Sequence, residues 1–217
     1  RSLHLALKAI GLKKDDEVIL PTNTFVATAE VVTYFDAIPV LCDIDQRTHN
    51  IDVSKIEVLI NKKTKAIIPV HFAGQPCDMD EIYKISKNYN LKVIEDAAHA
   101  LPSKYKGGMI GRLKNTDITC FSFYATKTLS TGEGGMATTD NSEYAENMSI
   151  NRLHGMSRNA WNRYDLKGSW YYDIVDSGNK YNTTDVNAAI GMIQLEKQFL
   201  LRSKRAEIAK RYNNSFK

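Results

Sequence analysis

The feature that most constrains this chain is an alternation. Short runs rich in Val and Ile recur: "EVIL" (17–20), "PVLCDI" (39–44), "AIIPV" (66–70), "KVIED" (92–96) and "DITCFSF" (117–123). Stretches with the apolar spacing of a helix separate them, at 24–35, 53–61 and 79–89, and two more follow at 142–153 and 185–212. "GMATT" (135–139) reads as a weaker strand. The chain opens on a further helical pattern, Leu3, Leu7 and Ile10, with Gly11 as its stop. Continuous apolar strands are buried on both faces, and helices between them join them in parallel. The expected fold class is α/β, a three-layer α/β/α arrangement around a mostly parallel sheet. Residues 155–184 show no clear period. They are rich in Gly, Asn, Trp and Tyr, which suits a functional loop or an interface.

A length of 217 residues can bury a sizeable core, and 43% hydrophobic with 25% charged residues is ordinary for a globular protein. The net charge of +4 comes from dispersed lysines. The densest patches, "LKKDDE" and "INKKTK", mix signs or flank turns, so they read as solvated faces and no nucleic-acid partner is expected. Cys42, Cys77 and Cys120 are odd in number and not closely paired, which argues against a disulfide framework. Cys42 and Cys120 lie in apolar runs and read as buried thiols. No apolar run reaches the roughly 18 residues of a membrane span, and no signal peptide opens the chain. A reduced, cytoplasmic protein is expected. Both ends fall inside helical patterns, without an initiator Met, so the chain reads as a segment of a longer protein.

In parallel sheets, ligands bind beyond the carboxyl ends of the strands. Asp96 and His99 follow one strand there, and Tyr124, Thr126 and Lys127 follow the next. "PTNTF" precedes the first helix after a strand. Taken alone, Asp96 is equally well a helix cap for "AAHA", and Lys127 a solvated loop lysine. The pair says more. A desolvated lysine can form a Schiff base, and an acid facing a pyridinium nitrogen is its partner in pyridoxal 5′-phosphate sites. Other chemistries lack their patterns: there is no G-x-G-x-x-G after the first strand, no phosphate-binding loop, no H-E-x-x-H, no C-x-x-C and no G-x-S-x-G. "DIDQRTHNID" carries Asp43, Asp45 and Asp52 but no glycine at the sixth position of a calcium loop, so it reads as a turn. No metal site is expected.

Several segments resemble one family in the same order along the chain: "KDDEVILPTNTFVATA", "PVLCDIDQRTHNID", "TKAIIPVHFAGQPCDMD", "VIEDAAHA", "FSFYATKTLSTGEGG" and "KYNTTDVNAAIGMIQL". They resemble the sugar aminotransferases of the DegT/DnrJ/EryC1/StrS family, pyridoxal-phosphate enzymes of the aspartate aminotransferase fold, fold type I. The resemblance covers essentially the whole chain. It implies that Lys127 is the covalent anchor of the cofactor and the base, and that Asp96 pairs with the ring nitrogen. It places His99 beside the ring's 3-oxygen, Phe25 as the aromatic that stacks on the ring, and Ser122 on the phosphate. Asn182 corresponds to a residue that reaches the cofactor of a neighbouring subunit in a homodimer with shared sites. A core aromatic is the competing reading of Phe25. His154 and Lys180 are candidate substrate contacts, and Tyr124 and Thr128 flank the lysine without a role.

The resemblance further implies that residues 1–217 are the large cofactor-binding domain, cut at its N-terminus and without the small C-terminal domain. The "GNKYN" segment (178–182) is similar to members that aminate C4 of UDP-linked 4-ketosugars, among them those that make UDP-4-amino-4-deoxy-L-arabinose for lipid A. The amino donor is expected to be L-glutamate. Sugar dehydratases or lyases with the same cofactor, and non-catalytic regulators on the same fold, are the alternatives. Retention of Lys127 and Asp96 favours transamination.

Overall fold

A computed structural model of the chain describes residues 1–157 and 172–216. The chain divides into two compact units, residues 1–122 with 135–182, and residues 123–134 with 183–217. Residues 158–171, at the centre of the aperiodic stretch, lie outside the described residues.

The first unit is built on one six-stranded sheet. Its strands are β1 (Glu17–Pro21), β2 (Ile38–Cys42), β3 (Thr64–Ile67), β4 (Lys92–Asp96), β7 (Ile118–Ser122) and β8 (Gly135–Thr138), in the order β2-β1-β3-β4-β7-β8. The first five are parallel, and β8 is antiparallel to β7. The helices of this unit are α1 (Ser2–Ala9), α2 (Ala27–Thr33), α3 (Met79–Tyr89) and α4 (Ser142–Asn151).

Strand pleating divides the core into two layers. Val18 and Leu20 of β1 join Ile94, Ile118 and Cys120 on the face covered by Leu5 and Leu7 of α1, Val31 and Val32 of α2, and Met148 of α4. Ile19, between them, joins Ile67 and Val93 on the other face, against Met79, Ile82 and Ile85 of α3. Val18, Ile19 and Leu20 are all fully buried, so every residue in the centre of β1 gains burial worth roughly 1.5–3 kcal/mol. That is why the strands read as continuous apolar runs, and it makes the architecture the three-layer α/β/α fold.

Three elements differ from their sequence reading. Residues 53–61 form two short 3-10 turns, Val53–Lys55 and Glu57–Leu59, instead of one helix. Asp52 accepts the Ser54 N–H with its side chain, a local turn that competes with the α-helical ladder, and only Ile56 is fully buried there. The helix read over 24–35 is shorter, Ala27–Thr33: Thr24 and Phe25 lie ahead of it, and the Thr28 N–H reaches back to the Phe25 carbonyl. A two-stranded hairpin, β5 (Lys104–Tyr105) with β6 (Gly108–Met109), has no counterpart in the sequence reading. Lys106 and Gly107 both take positive φ, the backbone of a tight two-residue hairpin turn. The hydroxyl of Tyr105 in β5 accepts the Asp80 N–H and donates to Asp78, so it caps α3 where the Asp78 side chain does not.

The acidic stretch 43–52 is the turn it reads as. Ile44 bridges Ile51, and Asp45 accepts the N–H groups of Arg47 and Thr48. Cys42, Cys77 and Cys120 are buried free thiols. No helix among the described residues is long and apolar enough to cross a membrane.

The second unit holds the 123–134 loop and α5 (Asp185–Ser215). The loop closes on itself: the Phe123 N–H donates to the Gly134 carbonyl, and the Thr131 N–H to the Phe123 carbonyl. Thr184 caps α5 by accepting the Asn187 N–H, and the Asn187 side chain donates to the Glu133 carbonyl. Within α5 only Gln198 is buried.

Candidate active site

The carboxyl end of β4 is the most elaborated point of the first unit. β3 ends at Ile67, and Pro69 beyond it has no N–H to continue a ladder. Its carbonyl accepts the Asp96 N–H (2.9 Å), and the Asp96 carbonyl accepts the His71 N–H (3.1 Å). The backbone of Asp96 is thereby held on both sides, because its neighbour Ala97 also donates to the Cys120 carbonyl (2.8 Å).

Asp96 is only 7% exposed. Its Oδ1 accepts the Ala98 N–H (3.1 Å), and its Oδ2 accepts the Thr28 hydroxyl (2.8 Å). The first bond is the capping contact expected of an acid there, although "AAHA" forms turns and no helix. Among the described residues, no side-chain cation forms an ion pair with Asp96. A carboxylate buried with only two neutral donors keeps acceptor capacity for a further donor.

The register Asp96↔Cys120 puts Ser122 two residues further along the neighbouring strand, on the same pleat face. Burial, and then the charge of Asp96, pushes the Cys120 thiol pKa up, so this cysteine is a poor nucleophile. Thr28 reaches the same face from α2. Just before that helix, Phe25 holds its ring 78% exposed. A core aromatic is therefore excluded at Phe25. His99 lies three residues past Asp96 and is exposed.

His154 and Lys180 are held on two paired segments of the first unit, and Asn182 follows on the second of them. The Asn179 N–H donates to Asn151, the His154 N–H to Asn179, and the Tyr181 N–H to Arg152. Leu153 and Lys180 form an antiparallel bridge between the two segments. The Tyr181 hydroxyl meets His4 Nδ1 at 3.0 Å, tying this ladder to α1.

Lys127, with Tyr124 and Thr128, belongs to the second unit. Its N–H donates to the Tyr124 carbonyl in a turn (2.9 Å), and the residue is half-buried.

Two features escaped the sequence reading. On the face of β4 opposite Asp96, Glu95 is fully buried and bonded to His71 Nε2 at 2.7 Å. His71 Nδ1 accepts the Cys77 N–H, which leaves Nε2 as the donor to the carboxylate. Thr116 and Thr119 also donate to Glu95. A carboxylate inside an apolar strand, "KVIED", is the signal for such a pair. The second feature is the Thr28 bond itself, for which a lone threonine in a helix gives no signal.

A family model described as the DegT/DnrJ/EryC1/StrS aminotransferase family matches residues 1–217. An uncharacterized protein of Methanocaldococcus jannaschii is 57% identical over 214 residues, 99% of this chain and 55% of its own length. The spore coat polysaccharide biosynthesis protein SpsC of Bacillus subtilis is 50% identical over 215 residues, with 99% and 55% covered. The chain thus spans about half the length of the curated relatives it matches. Among solved structures, a candidate sugar aminotransferase of Streptococcus pneumoniae in its PLP form superposes with a TM-score of 0.88 at 36% identity, covering 99% of this chain and 57% of the other.

Proposed function

Because the chain belongs to the DegT/DnrJ/EryC1/StrS aminotransferase family, we propose that it is the cofactor-binding part of an enzyme that uses pyridoxal 5′-phosphate to move an amino group from L-glutamate to a nucleotide-linked ketosugar. The observation that carries this reading is Asp96, a buried carboxylate at the end of the central sheet that no side-chain cation answers among the described residues. A protonated ring nitrogen fits that acceptor, so the residues present suit the cofactor. When bound, the cofactor supplies an electron-accepting ring that stabilises negative charge at the carbon losing its proton.

The chain's own residues would do the rest. Asp96 would keep the ring nitrogen protonated by fixed charge, in a site whose burial strengthens that interaction. The exposed ring of Phe25 would stack on the cofactor, worth about 1 kcal/mol beyond its buried area. His99 would lie beside the ring's oxygen, and Ser122 would bind the phosphate. The Lys127 amine would hold the cofactor and carry the proton from the donor's α-carbon. Asn182 would reach the phosphate held by a neighbouring copy in a homodimer, and His154 and Lys180 would face the sugar nucleotide. In this reading residues 1–217 are the large domain.

The polysaccharide role in the name of the Bacillus subtilis relative supports a sugar destined for a bacterial surface polysaccharide or lipid. We place the substrate among UDP-linked 4-ketosugars, with UDP-4-amino-4-deoxy-L-arabinose as the product to test first. The test uses full-length protein, L-glutamate and a panel of UDP- and dTDP-ketosugars. Expected are a visible absorption band, its loss in Lys127→Ala, and 2-oxoglutarate formed beyond one equivalent per cofactor only when a ketosugar is present. Uptake of cofactor with loss of water from the sugar and no 2-oxoglutarate would replace this reading by a dehydratase. A protein that takes up no cofactor would sink it.

A further inference from the structure

We infer that Thr28, itself oriented by Thr24, is a positioning residue that aims the Asp96 carboxylate at the cofactor; the inference rests on the reading of the preceding subsection. Thr28 is 1% exposed, so no solvent serves its hydroxyl. Its single proton goes to Asp96 Oδ2 (2.8 Å), because a carboxylate only accepts. At the 2.7 Å contact between Thr24 and Thr28, Thr24 must therefore be the donor. The result is a one-way chain, Thr24 to Thr28 to Asp96.

Two anchors on different oxygens fix the plane of the Asp96 carboxylate. Oδ1 is held by the backbone of Ala98, which any residue at position 98 other than proline would supply. Oδ2, among the described residues, is held by the Thr28 side chain. Thr28 also ties in the ring-stacking candidate, since its N–H donates to the Phe25 carbonyl (3.0 Å). One turn, residues 24–28, thus sets both the acid and the aromatic.

The experiment compares Thr28→Val and Thr28→Ser in the full-length protein. Val keeps the shape and methyl group but loses the hydroxyl, whereas Ser keeps the hydroxyl and loses the methyl. Pyridoxal-phosphate affinity is read by titrating the visible absorption, and folding by the melting temperature without cofactor. Loss of a hydrogen bond to a charged acceptor predicts affinity weakened about tenfold in Thr28→Val. Thr28→Ser should stay within about twofold of wild type, since it keeps that bond. The reverse order, Ser weak and Val like wild type, means that Thr28 only fills space and overturns the inference. If wild type binds no cofactor, the proposed function fails and this inference with it. Should Thr28→Val not fold, Thr24→Val carries the test, because it leaves Thr28 and Asp96 in place. A loss of about threefold supports the chain of bonds, as one weakened neutral hydrogen bond would give, and wild-type affinity overturns it.

Discussion

At the scale of single residues, the buried polar groups are the points of greatest consequence. Glu95 serves His71, Thr116 and Thr119 in a site without solvent. Glu95→Ala would leave all three donors unanswered, and we expect a loss of about 3 kcal/mol or more in urea unfolding. Glu95→Gln, which keeps an acceptor, should lose less. Asp176 is the clearest source of pH dependence. Hydrogen bonding by the Asn151 side chain, and then the neighbouring Lys8, hold its carboxyl pKa below the ordinary 3.8. A pKa lower in the folded state stabilises the protein above the unfolded value, and that stability is lost as pH falls through the folded one. Asp176 is partly exposed, so screening limits the effect to about 0.5 kcal/mol. Asp176→Asn should therefore be slightly less stable than wild type at pH 7 and equal to it near pH 2, as chemical denaturation at the two pH values would show. The thiols make a third test. Desolvation raises all three, Cys42 to about 11, so none should react quickly with a thiol reagent at pH 8 until the protein is unfolded. Asp96 was legible in the sequence as an acid directly after a strand. Thr28 and His71 were not, because their partners lie 68 and 24 residues away along the chain, and one sequence holds no record of distance.

At the scale of elements, strands and long helices were the most legible parts. α3 and β4 match their sequence readings residue for residue, and α3 has an apolar face of Met79, Ile82 and Ile85 with a clear stop, Asn90 in the left-handed conformation. Residues 53–61 failed as a helix because a short crossing can bury one isoleucine without completing a helical ladder. The ladder that carries His154 and Lys180 depends on glycine in a way that can be tested. A Cβ on Gly155, whose φ is +71°, would lie 1.8 Å from the Asp176 carbonyl oxygen, and one on Gly178 would lie 2.1 Å from the Gly155 nitrogen. Both contacts are with backbone, which cannot step aside. Gly155→Ala and Gly178→Ala should each cost about 2 kcal/mol or more, seen as a fall in melting temperature. An unchanged melting temperature in either variant would show that the two segments do not cross so closely.

At the scale of the whole molecule, stability is unevenly distributed. β1, β3, β4 and β7 are buried on both faces, whereas α5 buries only Gln198 along 31 residues. A helix without packing derives little stability from its own hydrogen bonds. In hydrogen exchange on this chain, the central strand amides should be the slowest, and those of α5 should exchange orders of magnitude faster. Equal protection in both would contradict the division into two units. The α/β class and the burial of the strands on both faces were determined by the sequence itself, because continuous apolar strands separated by helical periods have few other ways to bury their side chains. The residue types that the proposed cofactor chemistry needs were also there to read. Only the tertiary structure decided which neighbours complete them: the Thr28 hydroxyl on Asp96, the His71–Glu95 pair behind it, and the glycine crossing beneath His154. Periodicity is a local property of the chain, whereas a hydrogen bond between distant segments exists only once folding has set their separation to about 3 Å.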